Sequence, residues 1–169
     1  VVLAAGFYCT VVIDADGAVW ISGKLRGYHG GPSSTTFTRV QFTDTPGLPP
    51  VRCVGGSCKA QHVLAWTAEG RLFSWGSGVS GQLGNGTTES IDAPRQVQAL
   101  EAWPIVFASA GRRFSLALDR NGNLWSWGKG VALGHGGDNE SQQLLPKMIE
   151  TLPQDAAIKS IATGRHYPA

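Results

Sequence analysis

The chain has 169 residues, 42% of them hydrophobic and 15% charged, which excludes a disordered chain and fits one globular domain. Its net charge of +2 is too small to demand a nucleic-acid partner, and no apolar run approaches the roughly 20 residues of a membrane-spanning helix. Glycine is the outlier at 23 residues, about twice the usual share and without a collagen period, so many tight turns are expected.

In chain order, short apolar runs come in pairs joined by turn residues. Val1–Ala5 reads as a strand, and after Gly6-Phe7-Tyr8 comes Cys9–Ile13, then Asp16-Gly17, then Val19–Ser22 closed by Gly23. The pattern returns as His62–Thr67, Glu69-Gly70, Arg71–Trp75 and Gly76, and again as Phe114–Asp119, Asn121-Gly122, Asn123–Trp127 and Gly128. Asp-Gly and Asn-Gly between such runs predict type I′ hairpin turns, with Gly17, Gly70 and Gly122 at positive φ. Further strands are expected after Pro94 (95–100), over 105–108, over 146–152 and over 158–162. No segment carries a helical period.

The turn glycines lie 53 and 52 residues apart, and the closing glycines Gly23, Gly76 and Gly128 keep the same spacing. Two landmarks holding one period establish a repeat of about four short strands, the size of a β-propeller blade. The units run 1–50 (divergent), 51–104 and 105–157, with 158–169 opening a further one, all in one propeller domain. The fold class is therefore all-β: blades of about four antiparallel strands in an incomplete ring of about three. Three blades cannot close a ring, and Val1 is not a methionine, so the chain is expected to be part of a longer protein whose other blades are among its partners.

Residues 76–81, Gly-Ser-Gly-Val-Ser-Gly, satisfy the G-x-G-x-x-G pattern of dinucleotide-binding turns. That turn must open a helix, and Gln82-Leu83-Gly84-Asn85-Gly86-Thr87-Thr88 is a poor helix former. Gly128–Gly136 fills the same slot in the next unit, so the glycines belong to the repeat and no nucleotide site is expected. Cys9, Cys53 and Cys58 form no C-x-x-C pair, and His29, His62, His135 and His166 keep no ligand spacing, so neither metal nor cofactor is expected. The low cysteine count favours a reducing, intracellular compartment. Asn85-Gly86-Thr87 and Asn139-Glu140-Ser141 match glycosylation sequons, a pattern common by chance.

The matching residues resemble the regulator of chromosome condensation repeat family. They are His62-Val63-Leu64-Ala65, the Asp/Glu/Asn-Gly turns, the Trp-Gly pairs (Trp75-Gly76, Trp127-Gly128), Gly81-Gln82-Leu83-Gly84 and Pro94-x-x-Val97. The first unit is looser, with Ser22-Gly23 for Trp-Gly, Gly30-Gly31 for Leu-Gly and Phe37 in the proline slot. The resemblance implies a seven-bladed propeller. It also implies either a non-catalytic protein-interaction scaffold or, as in the founding member, guanine-nucleotide exchange on a small GTPase, with chromatin or RNA binding a third possibility.

No catalytic constellation stands out. Asp14, Asp16, Asp119 and Glu69 fall at turns, where short acidic side chains bond backbone. His62, inside an apolar run, is expected to be a core histidine bonded to backbone. Trp20, Phe73, Trp75, Trp125 and Trp127 are expected to pack between blades. The turn after each unit's first glycine collects Phe7, Tyr8, Lys59, Arg112, Arg113, Arg165 and His166 into an arc of aromatics and cations on one face. That arc is the expected partner-binding surface.

Overall fold

The computed structural model describes residues 2–5, 9–23, 34–42, 53–59, 62–136, 142–153 and 158–163. The chain forms three four-stranded antiparallel meanders, each with its strands side by side in chain order. The first holds β1 (Val2–Ala5), β2 (Cys9–Ile13), β3 (Val19–Gly23) and β4 (Ser34–Arg39). The second holds β5 (Cys53–Lys59), β6 (His62–Thr67), β7 (Leu72–Gly76) and β8 (Ile91–Gln96). The third holds β9 (Ile105–Ala110), β10 (Phe114–Asp119), β11 (Leu124–Lys129) and β12 (Gln142–Met148). Single 3₁₀ turns at Gln98–Leu100 and Val131–Leu133 are the helical elements among the described residues.

The core lies between sheets. Alternate residues of a strand point to opposite faces, so the middle sheet must be apolar on both, and β6 is buried at every position. Val63, Ala65, Phe73 and Trp75 pack toward the first sheet, against Cys9, Val11, Ile13 and Val19. Leu64, Trp66 and Leu72 pack toward the third, against Ala108, Ala117, Trp125 and Trp127. Phe42 adds edge-to-face contacts to Phe73 and Trp75, at centroid distances of 5.2 and 6.2 Å. The expectation that these aromatics fill the gaps between blades holds for Phe73, Trp75, Trp125 and Trp127, whereas Trp20 is only partly covered and belongs to neither cluster. In β2 and β10 burial is uneven, and Val12 and Leu116 are only partly covered.

The hairpin glycines have the expected positive φ: Gly17 +81°, Gly70 +93° and Gly122 +87°. The turn type differs from expectation. Gly17 N–H donates to Asp14 O at 3.1 Å while Asp14 N–H donates to Ala18 O at 3.1 Å. The tight turn is thus centred one residue earlier, on Ala15-Asp16, and the glycine follows it as a bulge residue rather than as half of a two-residue I′ loop. Thr67–Arg71 and Asp119–Asn123 repeat the pattern. The shift explains the residue that starts each turn. Asp14 Oδ1 accepts from the backbone of Asp16 and Ala18, and its Oδ2 accepts from Trp20 Nε1 at 2.8 Å. Asp119 does the same with Asn121, Asn123 and, at 3.1 Å, Trp125 Nε1. In the middle sheet Thr67 replaces the aspartate and Phe73 the tryptophan, so carboxylate and indole donor are lost together.

Register corrects three other expectations. Lys59 pairs with His62, so 57–59 belong to β5 and not to the turn, and Lys59 occupies the slot that Gly111 fills in the third sheet. Outer strands start earlier than expected: β8 and β12 run through Pro94 and Pro146, which an edge strand tolerates because the missing N–H faces outward. Phe37 falls at the same register position as these prolines, since Thr38, Arg95 and Lys147 are paired equivalently. Residues 158–163 do not form a strand, although Thr163 Oγ1 donates to Ala110 O at 2.8 Å. Cys9 is disulfide-bonded, a bond of oxidising compartments, so the cysteine count no longer argues for a reducing one.

Two glycine replacements separate backbone strain from crowding. A Cβ at Gly122 meets nothing within 4 Å, whereas one at Gly70 meets Pro104 Cα at 2.5 Å. Gly122→Val is expected to destabilise by about 1–3 kcal/mol from strain alone, and Gly70→Val by clearly more. Denaturant midpoints of the two variants check the order; equal losses would show that crowding at Pro104 is irrelevant.

Candidate functional site

A meander places the turn between its first and second strands, and the loop between its third and fourth, at one end of the sheet. The second-to-third hairpin lies at the other end. Of the candidate residues, Arg112 and Arg113 stand in the first-to-second turn of the third sheet. Phe7, Tyr8, Arg165 and His166 lie outside the described residues, and Lys59 ends β5. Arg112 is half-buried and Arg113 is exposed. Lys129, exposed at the end of β11, donates its N–H to Arg113 O at 2.8 Å, which places it beside the pair. Gly128, φ +105°, leaves no room for a side chain there, because a Cβ would meet Phe114 Cα at 2.6 Å. Its equivalents Gly23 and Gly76 also have positive φ, and all three sit at a register shift against the outer strand.

Beneath this end lies a buried polar group that sequence reasoning missed. The backbone carbonyl of Gln82, in the glycine-rich loop of the middle sheet, accepts two bonds from the third sheet, each 2.8 Å: Trp127 Nε1 and Ser115 Oγ. Ser115 Oγ also meets His62 Nε2 at 2.7 Å. A serine has one proton, and it goes to Gln82, so His62 must donate through Nε2. His62 is therefore a core histidine, as expected, but bonded to a serine across the sheet gap rather than to backbone. Its Nδ1 has no partner among the described residues. Full burial pushes its pKa down from 6.5 to about 3. The one sequence signal was Ser115 itself, a polar residue at the strand position that Val63 holds in the middle sheet.

The loop is folded by its own turns. Gly81 N–H donates to Gly78 O at 2.7 Å and Gly84 N–H to Gly81 O at 3.1 Å, while Ser74 Oγ clamps Leu83 O at 2.7 Å. A Cβ at Gly84 would reach Trp127 Nε1 at 2.8 Å, and Gly86 N–H donates to Leu144 O on β12 at 3.2 Å. The glycines thus serve close approach to the neighbouring blade. In the third sheet Ser126 Oγ repeats the clamp on Leu133 O at 2.6 Å and meets His135 Nε2 at 2.8 Å. This serine also spends its single proton on a carbonyl, so the pair does not form an activated nucleophile.

Models of the regulator of chromosome condensation (RCC1) repeat match residues 69–118 and 121–168, and a second model of the repeat matches 105–132. The chain belongs to the regulator of chromosome condensation repeat family. It is 33% identical over 97% of its length to a segment covering 3% of E3 ubiquitin-protein ligase HERC2 of Homo sapiens. Protein RCC2 of Mus musculus is 36% identical over 68% of this chain and 22% of its own length. The crystal structure of Prp20p from Saccharomyces cerevisiae superposes with a TM-score of 0.81, at 21% identity, covering 96% of this chain and 41% of that one. Across these matches the chain spans well under half of its relatives' length. The RCC1 repeat as matched is out of phase with the sheets: 69–118 runs from β7 to β10, so one repeat carries both Gln82 and Ser115.

The buried histidine makes stability depend on pH. Between 6.5 and about 3 the unfolded chain binds a proton at His62 that the folded chain refuses. Stability is therefore fully present above about pH 6.5 and falls as pH drops through that window. His62→Gln removes the titration. Urea unfolding at pH 7 and pH 5 should show a larger loss for the parent protein than for the variant; equal losses would mean that His62 does not titrate as described.

Proposed function

We propose that this propeller segment is a non-catalytic docking scaffold that binds other proteins through the end carrying Arg112 and Arg113. The observation that supports it is a contrast within one end of the sheets. Below the surface, the hydroxyls of Ser115 and Ser126 are committed to carbonyls of the fold. Above it, two guanidinium groups stand on a three-residue turn anchored by Gly111 N–H donating to Phe114 O at 2.9 Å. Rigid presentation of arginine suits recognition, since little side-chain-bearing backbone must be ordered on binding.

A second reading is guanine-nucleotide exchange on a small GTPase, favoured by the fold shared with Prp20p, whose structure is described together with its binding to Gsp1p and histones. Likeness of fold does not carry an activity with it. Affinity capture with the full-length protein, parent and Arg112→Ala/Arg113→Ala, separates these readings. Docking predicts specific partners whose recovery falls about tenfold or more in the variant, with no release of nucleotide from a captured GTPase. Accelerated release of bound guanine nucleotide would replace docking with exchange, and unchanged recovery would move the docking surface elsewhere.

A further inference from the structure

The two ends of the sheets differ in charge, and the difference follows the topology. At the first-to-second turn of the third sheet stand Arg112 and Arg113, with Lys129 hydrogen-bonded beside them. Among the described residues none of the three has an ion-pair partner. The opposite end carries acids interleaved with cations. Asp14 and Asp16 sit in the first hairpin and Glu69 in the second, and Glu101 and Glu150 follow the outer strands of the second and third sheets. Two of these carboxylates are held ionised: Trp20 and backbone N–H groups bonded to Asp14, and the Thr67 hydroxyl bonded to Glu69, push their pKa values down. That end mixes both signs, since Arg39 lies near Asp14, Arg71 near Glu69, and Arg120 sits in the third hairpin, whereas Arg112, Arg113 and Lys129 form a local cluster of one sign.

We infer that the Arg112–Arg113–Lys129 end binds an acidic segment of a partner protein. This rests on the docking role proposed above and names the chemistry of its partner. Arginine meets carboxylates with two parallel N–H···O bonds, and Arg112 and Arg113 offer two such forks with Lys129 as a third, point-like charge. Val131, 57% exposed two residues after Lys129, adds an apolar contact beside the cations. A nucleic acid fits less well. Phosphate-tracking surfaces need on the order of 6–10 cationic contacts, and here three cations stand with Glu89 and Asp92 exposed on the neighbouring sheet at the same end.

The test uses the full-length protein and three fluorescein-labelled probes: a ten-residue Glu-rich peptide, a Gly-Ser peptide of equal length, and a 20-nucleotide single-stranded DNA. Fluorescence anisotropy should show binding of the Glu-rich peptide but not the Gly-Ser peptide, weakening as salt rises. Arg112→Glu/Arg113→Glu should lower the affinity at least tenfold, while Glu69→Lys, at the opposite end, leaves it within twofold. Preference for the DNA probe over the Glu-rich peptide, or equal affinity in parent and Arg112→Glu/Arg113→Glu, would overturn the inference. If the Glu-rich peptide does not bind while Arg112→Ala/Arg113→Ala still loses its captured partner, the docking role stands and the acidic chemistry falls.

Discussion

One carbonyl joins two blades. Gln82 O receives the Trp127 indole and the Ser115 hydroxyl from the next sheet, and Ser115 in turn receives His62 from the sheet that Gln82 belongs to. The bonds are buried, so none can be exchanged for water, and losing both donors leaves a desolvated acceptor behind. Hydrophobic burial between sheets is larger in total but has no direction. The carbonyl sets which residues face each other across the gap, and with them the register in which Leu64 and Trp66 meet Ala117 and Trp125.

Much of this architecture was legible because it is repeated. The spacing of Gly17, Gly70 and Gly122 revealed the blades, and the Trp-Gly pairs identified their aromatic strands. What stayed hidden was relational. Asp-Gly and Asn-Gly were read as two-residue turns, yet the turn is set by Asp14 and Asp119, whose carboxylates bind an indole six residues on. That contact reaches beyond the turn dipeptide, so the dipeptide alone pointed to the wrong turn. Lys59 was read as a turn residue, yet pairing places it in β5, in the slot that Gly111 fills in the third sheet.

The candidate site was legible in outline. Arg112 and Arg113 follow a repeat glycine, and Lys129, which falls in a different slot of the repeat, ends β11 and joins them through a backbone bond to Arg113. The fold and the surface are linked by that geometry. Gly128 lets β11 pass close under the turn that carries the arginines, and the Trp127 before it reaches the carbonyl of Gln82.

The most direct measurement of the joint is a double-mutant cycle on Ser115→Ala and Trp127→Phe, read as unfolding free energies of the full-length protein. Both side chains donate to one carbonyl, so either single variant leaves Gln82 O with a partner, and only the double variant strands it. The double variant should therefore lose more stability than the two singles together, by about 0.5–3 kcal/mol. Strict additivity would mean that the shared carbonyl does not hold the blades in register, and would contradict the account.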